Sequence, residues 1–266
     1  KHKSVQPKYP IYVISKGRAD SRLTIKCLER INVPYHVVIE PQDLPLYSFF
    51  VDPKKILVLP YSNTGNGPGE ARNWCWDHSI SIGASMHWVL DDNIDDFYRL
   101  HKNKRIRVES GAIFRASEDF VERYENVAIS GFNYDFFLPS KYKFPAFTVN
   151  TRIYSCLLIR NDIPYRWRAR YNEDTDLSLR VLKDGWCTIL FNAFLQNKAG
   201  TQKMKGGNTE DYQKFGTYEK SQCAIDLHPE IIRHAVRYGR DHHVADLSQF
   251  QKNMLIKKNN NAVYEK

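Results

Sequence analysis

Short apolar runs separated by polar, helix-forming stretches set the rhythm of the first hundred residues. Ile11-Tyr12-Val13-Ile14 reads as a strand, and residues 21–30 place Leu23, Ile25, Cys27 and Leu28 in a helical setting. Residues 35–39 are rich in β-branched side chains and end in Glu40; residues 56–59 form another strand, stopped by Pro60. Residues 70–82 predict a helix with Trp74, Trp76 and Ile80 available for burial, followed by a strand that ends at Asp91. Strands alternating with helices imply a parallel sheet built from right-handed crossovers. The second half is less regular. It predicts a helix over 117–126 and strands over 127–130, 154–159 and 186–194. Between the last two, Asn172-Glu173-Asp174-Thr175-Asp176 precedes Leu177, Leu179, Val181 and Leu182 and then Gly185. An acidic first turn, an apolar body and a closing glycine mark a helix. Residues 198–208, rich in glycine and lysine, predict a mobile loop. The last segment predicts one helix over 229–238 and a polar tail around Lys257-Lys258-Asn259.

The most informative stretch is His87-Trp88-Val89-Leu90-Asp91-Asp92-Asn93. Its apolar run suits a buried strand, and its carboxylates fall at the strand's carboxyl end, where open α/β sheets place their ligands. Adjacent carboxylates repel and are costly to desolvate, so they seek a cation. A hard divalent ion, Mg²⁺ or Mn²⁺, held by Asp91, Asp92 and Asn93 suits such oxygen ligands. A helix-capping acidic cluster suits the same tripeptide equally well.

Composition narrows the classes. The chain has 266 residues, is 42% apolar and 13% aromatic, and so can build a large core. No apolar run approaches the roughly 20 residues that span a bilayer, and the start Lys1-His2-Lys3-Ser4 is no signal peptide. Five scattered cysteines suit reduced thiols in a cytoplasm and no zinc site. A net charge of +9 raises the odds of a polyanionic partner. The basic residues cluster: Lys102, Lys104, Arg105 and Arg107 follow the acidic tripeptide; Arg166, Trp167, Arg168 and Arg170 interleave cations with an aromatic; Lys198, Lys203 and Lys205 form a third group. Such runs can clamp phosphates and stack on unpaired bases, or simply solvate a surface.

Gly65-Asn66-Gly67-Pro68-Gly69-Glu70 stands too far after its strand for a dinucleotide loop, and no P-loop sequence exists. What remains is a glycine turn that delivers Arg72 and Asn73 at a helix start, where a cation and an amide can meet a nucleotide.

Taken in order, Ser15-Lys16-Gly17-Arg18, Glu40, Ala71-Arg72-Asn73, Asp91-Asp92-Asn93 and Asn172-Glu173-Asp174 resemble a GT-A glycosyltransferase. More closely, residues 12–19 and 172–180 resemble the phage TET-associated glycosyltransferases, which are linked to hydroxylated 5-methylpyrimidines in DNA. The resemblance covers about residues 9–194. It implies an α/β GT-A (Rossmann-like) domain with a mixed, mainly parallel central sheet, placed over residues 1–217; the last residues gain little from it and read from the sequence as a C-terminal helical extension with a polar tail over 218–266. It further implies a UDP-sugar donor, a Mn²⁺ or Mg²⁺ ion, an acceptor hydroxyl on a modified base of the 5-hydroxymethylcytosine type in DNA, and action in the host cytoplasm. Asn93 stands where many relatives carry aspartate, which weakens the metal site by one charge.

With that resemblance the chemistry assembles. An ion bridging Asp91 or Asp92 to the leaving pyrophosphate would stabilise its charge. Ser15, Lys16, Gly17, Arg18, Glu40, Arg72, Asn73 and Asp91 are expected to bind the nucleotide sugar, with Lys203 and Lys205 closing as a lid. Asp174 is the expected general base, Glu173 positions hydroxyls, and Asp176 is the alternative base. Lys102, Lys104, Arg105, Arg166, Trp167, Arg168 and Arg170 are expected to meet DNA. His228, His234, His242 and His243 are expected on the surface. Two other readings remain open: a protein or glycan acceptor, and a DNA-binding module without catalysis.

Overall fold

A computed structural model describes residues 5–199, 218–237 and 239–259. In chain order its strands and α-helices are β1 (Ile11–Ile14), α1 (Leu23–Arg30), β2 (His36–Ile39), α2 (Leu44–Phe50), β3 (Ile56–Val58), α3 (Gly69–Ser81), β4 (Met86–Asp91), β5 (Ile94–His101), β6 (Lys104–Arg107), α4 (Ala112–Val121), β7 (Val127–Tyr134), β8 (Phe147–Val149), β9 (Cys156–Arg160), α5 (Glu173–Lys183), β10 (Cys187–Lys198), α6 (Tyr218–Leu227), β11 (Ile232–Arg237) and β12 (Arg240–Ala245).

Ten strands form one sheet in the order β3-β2-β1-β4-β9-β7-β10-β5-β6, with β8 pairing beside β10. The strands β1–β4, β7 and β10 run one way, joined by β6; β5, β8 and β9 run against them. The sheet is therefore mixed and mainly parallel, as expected. Chain progression reverses between β1 and β4: β2 and β3 build outward on one side of β1, while β4 pairs on the other. A crevice opens at such a switch point beyond the carboxyl ends of the strands.

The periodicities explain the core. The β4 residues Trp88, Val89 and Leu90 are all buried because helices and loops cover both faces of a central strand. Trp88 packs edge-on to Phe114 of α4 at 5.0 Å, and α1 turns Ile25, Cys27 and Leu28 inward. Between β7 and β9 the backbones approach closely at Gly131, where a Cβ would stand 2.1 Å from the Cys156 carbonyl oxygen, so only glycine fits.

Several boundaries differ from expectation. The helix expected over 117–126 begins five residues earlier, at Ala112, because its buried face is set by Ile113, Phe114, Ser117 and Val121. The basic run at 101–107 is the turn and second strand of the β5–β6 hairpin. The helix expected over 229–238 is instead the first strand of the β11–β12 hairpin, which turns through Gly239 at φ +68°. A helix stands just before it, at Tyr218–Leu227. Much of the loop expected over 198–208 lies outside the described residues. No helix among the described residues is long and apolar enough to cross a membrane.

Candidate active site

A cavity of about 740 Å³ lies at the carboxyl ends of β1, β2 and β4. The loop after β1 provides Ser15, Lys16, Gly17 and Arg18; Glu40 follows β2; β4 ends in Asp91; the α5 start adds Glu173 and Asp174. The glycine turn forms its far wall. Gly67 adopts φ +82°, and a Cβ there would lie 2.8 Å from the Arg170 carbonyl oxygen, so glycine admits both the turn and the neighbouring strand of chain.

Arg72 is the hub. It is buried on the first turns of α3, 2.9 Å from Asp91 Oδ1 and 3.0 Å from Glu173 Oε1, with its guanidinium over the Trp167 ring at 4.5 Å. One cation thus joins the glycine turn, the β4 end and the α5 start. Lys198, the last residue of β10, closes the same cluster: its Nζ lies 2.7 Å from Asp91 Oδ2 and donates to Ser155 Oγ at 2.9 Å. Burial alone would lift the Asp91 carboxyl, but Lys198 and then Arg72 override it and hold it at about 2. Burial also raises Glu173, further pushed by the adjacent Asp174 and opposed by Arg72.

Asp92 faces the other way. Its Oδ2 accepts from Ser15 Oγ at 2.6 Å, Oδ1 pairs with buried Arg18 at 2.5 Å, and Ser15 in turn meets Tyr47 of α2. Lys16 pairs with Glu40 at 2.8 Å, and Glu40 accepts the Asn63 amide at 2.6 Å. The Gly17 amide donates to Asp43 at 2.9 Å. These contacts fix the β1 loop along the cavity.

The residues do not fit the expected divalent ion as they stand. Every carboxylate oxygen of Asp91 and Asp92 is engaged by Arg72, Lys198, Arg18 or Ser15. Asn93 is buried and turns its amide to the Ala199 carbonyl at 2.9 Å. No group of three or more His, Cys, Asp and Glu side chains among the described residues could hold a metal. Positive charge is present here as side chains.

Asp174 lines the cavity and accepts the Thr175 amide at 2.8 Å. Asp176 is not brought together with it. Two residues further along a helix it faces the protein interior, where it meets Arg168 at 3.0 Å, Arg180 at 3.0 Å and His228 at 2.7 Å. His228 is itself only 1% exposed, not a surface residue: it bridges Asp176 to Lys183 and fastens the segment after α6 onto α5. Asn73 likewise does not line the cavity but exchanges two hydrogen bonds with the Trp167 backbone.

The second basic run also serves the fold. Trp167 is buried under Arg72; Arg168 belongs to Asp176; Arg166 lies over Trp76 at 4.4 Å and donates to the Tyr165 carbonyl. Arg170 lines the cavity. Of the seven side chains expected to meet DNA, Trp167 is buried, while Arg166 and Arg168 make contacts within the protein and stay partly exposed. The first run, by contrast, keeps Lys102, Lys104 and Arg105 exposed. Lys203 and Lys205 lie outside the described residues. Tyr134 and Ser155 line the cavity without having been marked by any motif; Ser155, at φ +64° before β9, is set there by a backbone turn.

The sheet, its switch-point crevice and the acid–cation cluster define an α/β protein with a charged cavity at the carboxyl ends of its strands. The chain belongs to the TET-associated glycosyltransferase family, whose sequence profile matches residues 9–207. It is a glycosyltransferase. A solved structure described as a nucleotide-diphospho-sugar transferase from Desulfovibrio desulfuricans G20 is 11% identical, with 85% of this chain and 98% of that chain covered and a TM-score of 0.42. CMP:2-keto-3-deoxy-manno-octonic acid synthetase in complex with CTP is 10% identical, with 80% and 100% covered and a TM-score of 0.43. A comparison with curated proteins finds no match.

Proposed function

We propose that the protein moves a sugar from a UDP-sugar to the hydroxyl of a modified pyrimidine in DNA, of the 5-hydroxymethylcytosine type. The observation that carries the reading is the Arg72 hub, which places a cation between Asp91 and Glu173 with the cavity-facing Asp174 next in sequence. As the glycosidic bond to the donor breaks, negative charge develops on the leaving diphosphate. Arg72 and Lys198, fixed in a partly buried site, stabilise that charge more than water would. Asp174 accepts the acceptor's proton as its oxygen attacks the anomeric carbon. Glu173 steadies Arg72 and orients sugar hydroxyls, and Glu40 with Lys16 borders the nucleotide end. The family's link to TET enzymes, which hydroxylate 5-methylpyrimidines, supports the acceptor, as does the net charge of +9.

The test is incubation with a panel of nucleotide sugars and DNA containing or lacking 5-hydroxymethylcytosine, read by mass spectrometry of the digested nucleosides. A sugar adduct on the modified nucleoside alone is expected. Donor consumption that rises with a peptide or glycan acceptor, with every DNA unmodified, would overturn the acceptor assignment and leave the transferase chemistry in place.

A further inference from the structure

The β5–β6 hairpin does more than display charge. At its turn Asn103 donates to the carbonyls of Ser140 and Tyr142, at 3.2 and 2.9 Å. Arg105 donates to the carbonyls of Asp135 and Leu138, the latter at 2.8 Å. The segment that follows β7 is thereby bolted to the hairpin. It holds two large apolar rings in water: Phe136 is 54% exposed and Phe137 49%. They are not loose. Phe136 stacks on Tyr134 at 4.9 Å and 14°, and Tyr134 stacks on Tyr154 at 4.5 Å and 25°. Tyr134 is a wall of the cavity that Asp174 also lines. A column of stacked aromatic rings therefore runs from the cavity wall at Tyr134 out to solvent at Phe136.

Exposed cations lie on both of the segments that these hydrogen bonds join. Lys102 and Lys104 on the hairpin, and Lys141 and Lys143 on the bolted segment, are all exposed. The segment's single carboxylate, Asp135, lies 4.0 Å from Arg105. A neutral glycan would stack on the rings and leave the lysines unanswered. An acidic peptide would answer the lysines and leave a flat aromatic face uncovered. A nucleic-acid strand satisfies both, since its phosphates are anionic and every base has a π-face.

We infer that this face is the acceptor surface: a strand with an unpaired base crosses the hairpin, its phosphates on the four lysines and a base on Phe136. This rests on the DNA-acceptor reading above and gives it a location. A base held at the outer end of the column is already out of the duplex stack, as chemistry on a base requires. A neighbouring nucleotide can then enter the cavity towards Asp174.

The test is fluorescence anisotropy of a labelled single-stranded oligonucleotide of about 12 nucleotides, titrated at several salt concentrations. Phe136→Ala should weaken binding about 5- to 150-fold with the salt slope unchanged, and Phe136→Tyr should restore most of the affinity. Replacing Lys102, Lys104, Lys141 and Lys143 together with glutamine should flatten the slope of log K against log salt by about 2.8, since each single-strand phosphate contact contributes about 0.7. Melting temperatures close to wild type show that these exposed changes leave the fold intact. Unchanged affinity in folded Phe136→Ala, no oligonucleotide binding by wild type at low salt, or equal competition by a polyglutamate peptide would each overturn the surface. Variants that lose the oligonucleotide in a protein that puts no sugar on any DNA would support the surface and sink the acceptor assignment. Sugar transfer to DNA that is indifferent to these variants would sink the surface alone.

Discussion

Replacing Lys198 with methionine keeps the length and packing of the stem and removes one charge from the cavity. In the wild type that ammonium lies 2.7 Å from Asp91 Oδ2 and 2.9 Å from Ser155 Oγ. Against the pull of burial, Lys198 and then Arg72 take the Asp91 carboxyl from its ordinary 3.8 to about 2. At about 1.4 kcal/mol for each tenfold change in acidity, that is roughly 2 kcal/mol net of the burial penalty, so the two cations together supply more than that. Lys198→Met should therefore cost at least about 1 kcal/mol of stability, or roughly 3 °C or more in melting temperature for a chain of this size. The pH dependence has a definite sign. A carboxyl whose folded pKa is depressed contributes its stability above its unfolded pKa and loses it as pH falls towards the folded value. The melting-temperature gap between wild type and variant should thus be full above about pH 4 to 5 and close as pH falls towards 2. Because Lys198 is itself raised by Asp91, the gap should hold through neutral pH and shrink only on strong alkalinisation. Catalysis should suffer more than stability: a fixed cation facing the leaving diphosphate is worth about 100- to 1,000-fold in turnover. Melting curves across pH, with turnover for sugar transfer and for donor hydrolysis, measure both. Unchanged turnover, or a stability gap that widens on acidification, would refute the reasoning.

Two further outcomes follow from the same cluster. Exhaustive dialysis against EDTA should leave donor affinity and turnover near their starting values, since side-chain cations already occupy the carboxylate oxygens; loss of both, restored by Mn²⁺, would show that Arg72 and Lys198 swing aside for an ion. Asp174→Asn should lower turnover about 100- to 10,000-fold with little change in melting temperature, whereas Asp176→Asn should destabilise the fold by about 3 kcal/mol and spare turnover per folded molecule. The opposite assignment of the two phenotypes would move the base to Asp176.

The fold was legible where one period dominated. Ile11–Ile14, Met86–Asp91 and Glu173–Lys183 appear close to where alternation, apolar runs and capping chemistry place them. The 232–237 segment misled because Ile232, Ala235 and Val236 fit either period, and the glycine turn at 239, not composition, makes it a hairpin. In the site, residues flanking a strand's carboxyl end could be named from the chain: Ser15, Arg18, Glu40, Arg72 and Asp91 all line the cavity. What a side chain faces could not. Asp174 and Asp176 have the same chemistry two positions apart, and only the helix phase sends one to the cavity and the other to His228. The same limit hid Trp167, whose neighbours suggest a stacking surface but whose ring lies under Arg72. Tyr134 and Ser155 carried no signal, because strands distant in sequence bring them to the cavity.

Asn253 gives the candidate site a timetable. Its side chain donates to the carbonyls of Leu182 and Trp186, closing the end of α5 from 71 and 67 residues downstream. Asn150, before β9, is held in turn by the carbonyls of Phe250 and Asn253. The helix that carries Glu173 and Asp174 therefore stays unfinished at its far end until residue 253 has been made. At about 5 to 20 residues per second, translation leaves this helix waiting several seconds for its final contacts, during which β10 is made and can join β7 to β5. A ribosome that stalls between residues 198 and 253 holds a polypeptide with Arg72, Glu173, Asp174 and Lys198 all present and the helix beneath two of them not yet secured.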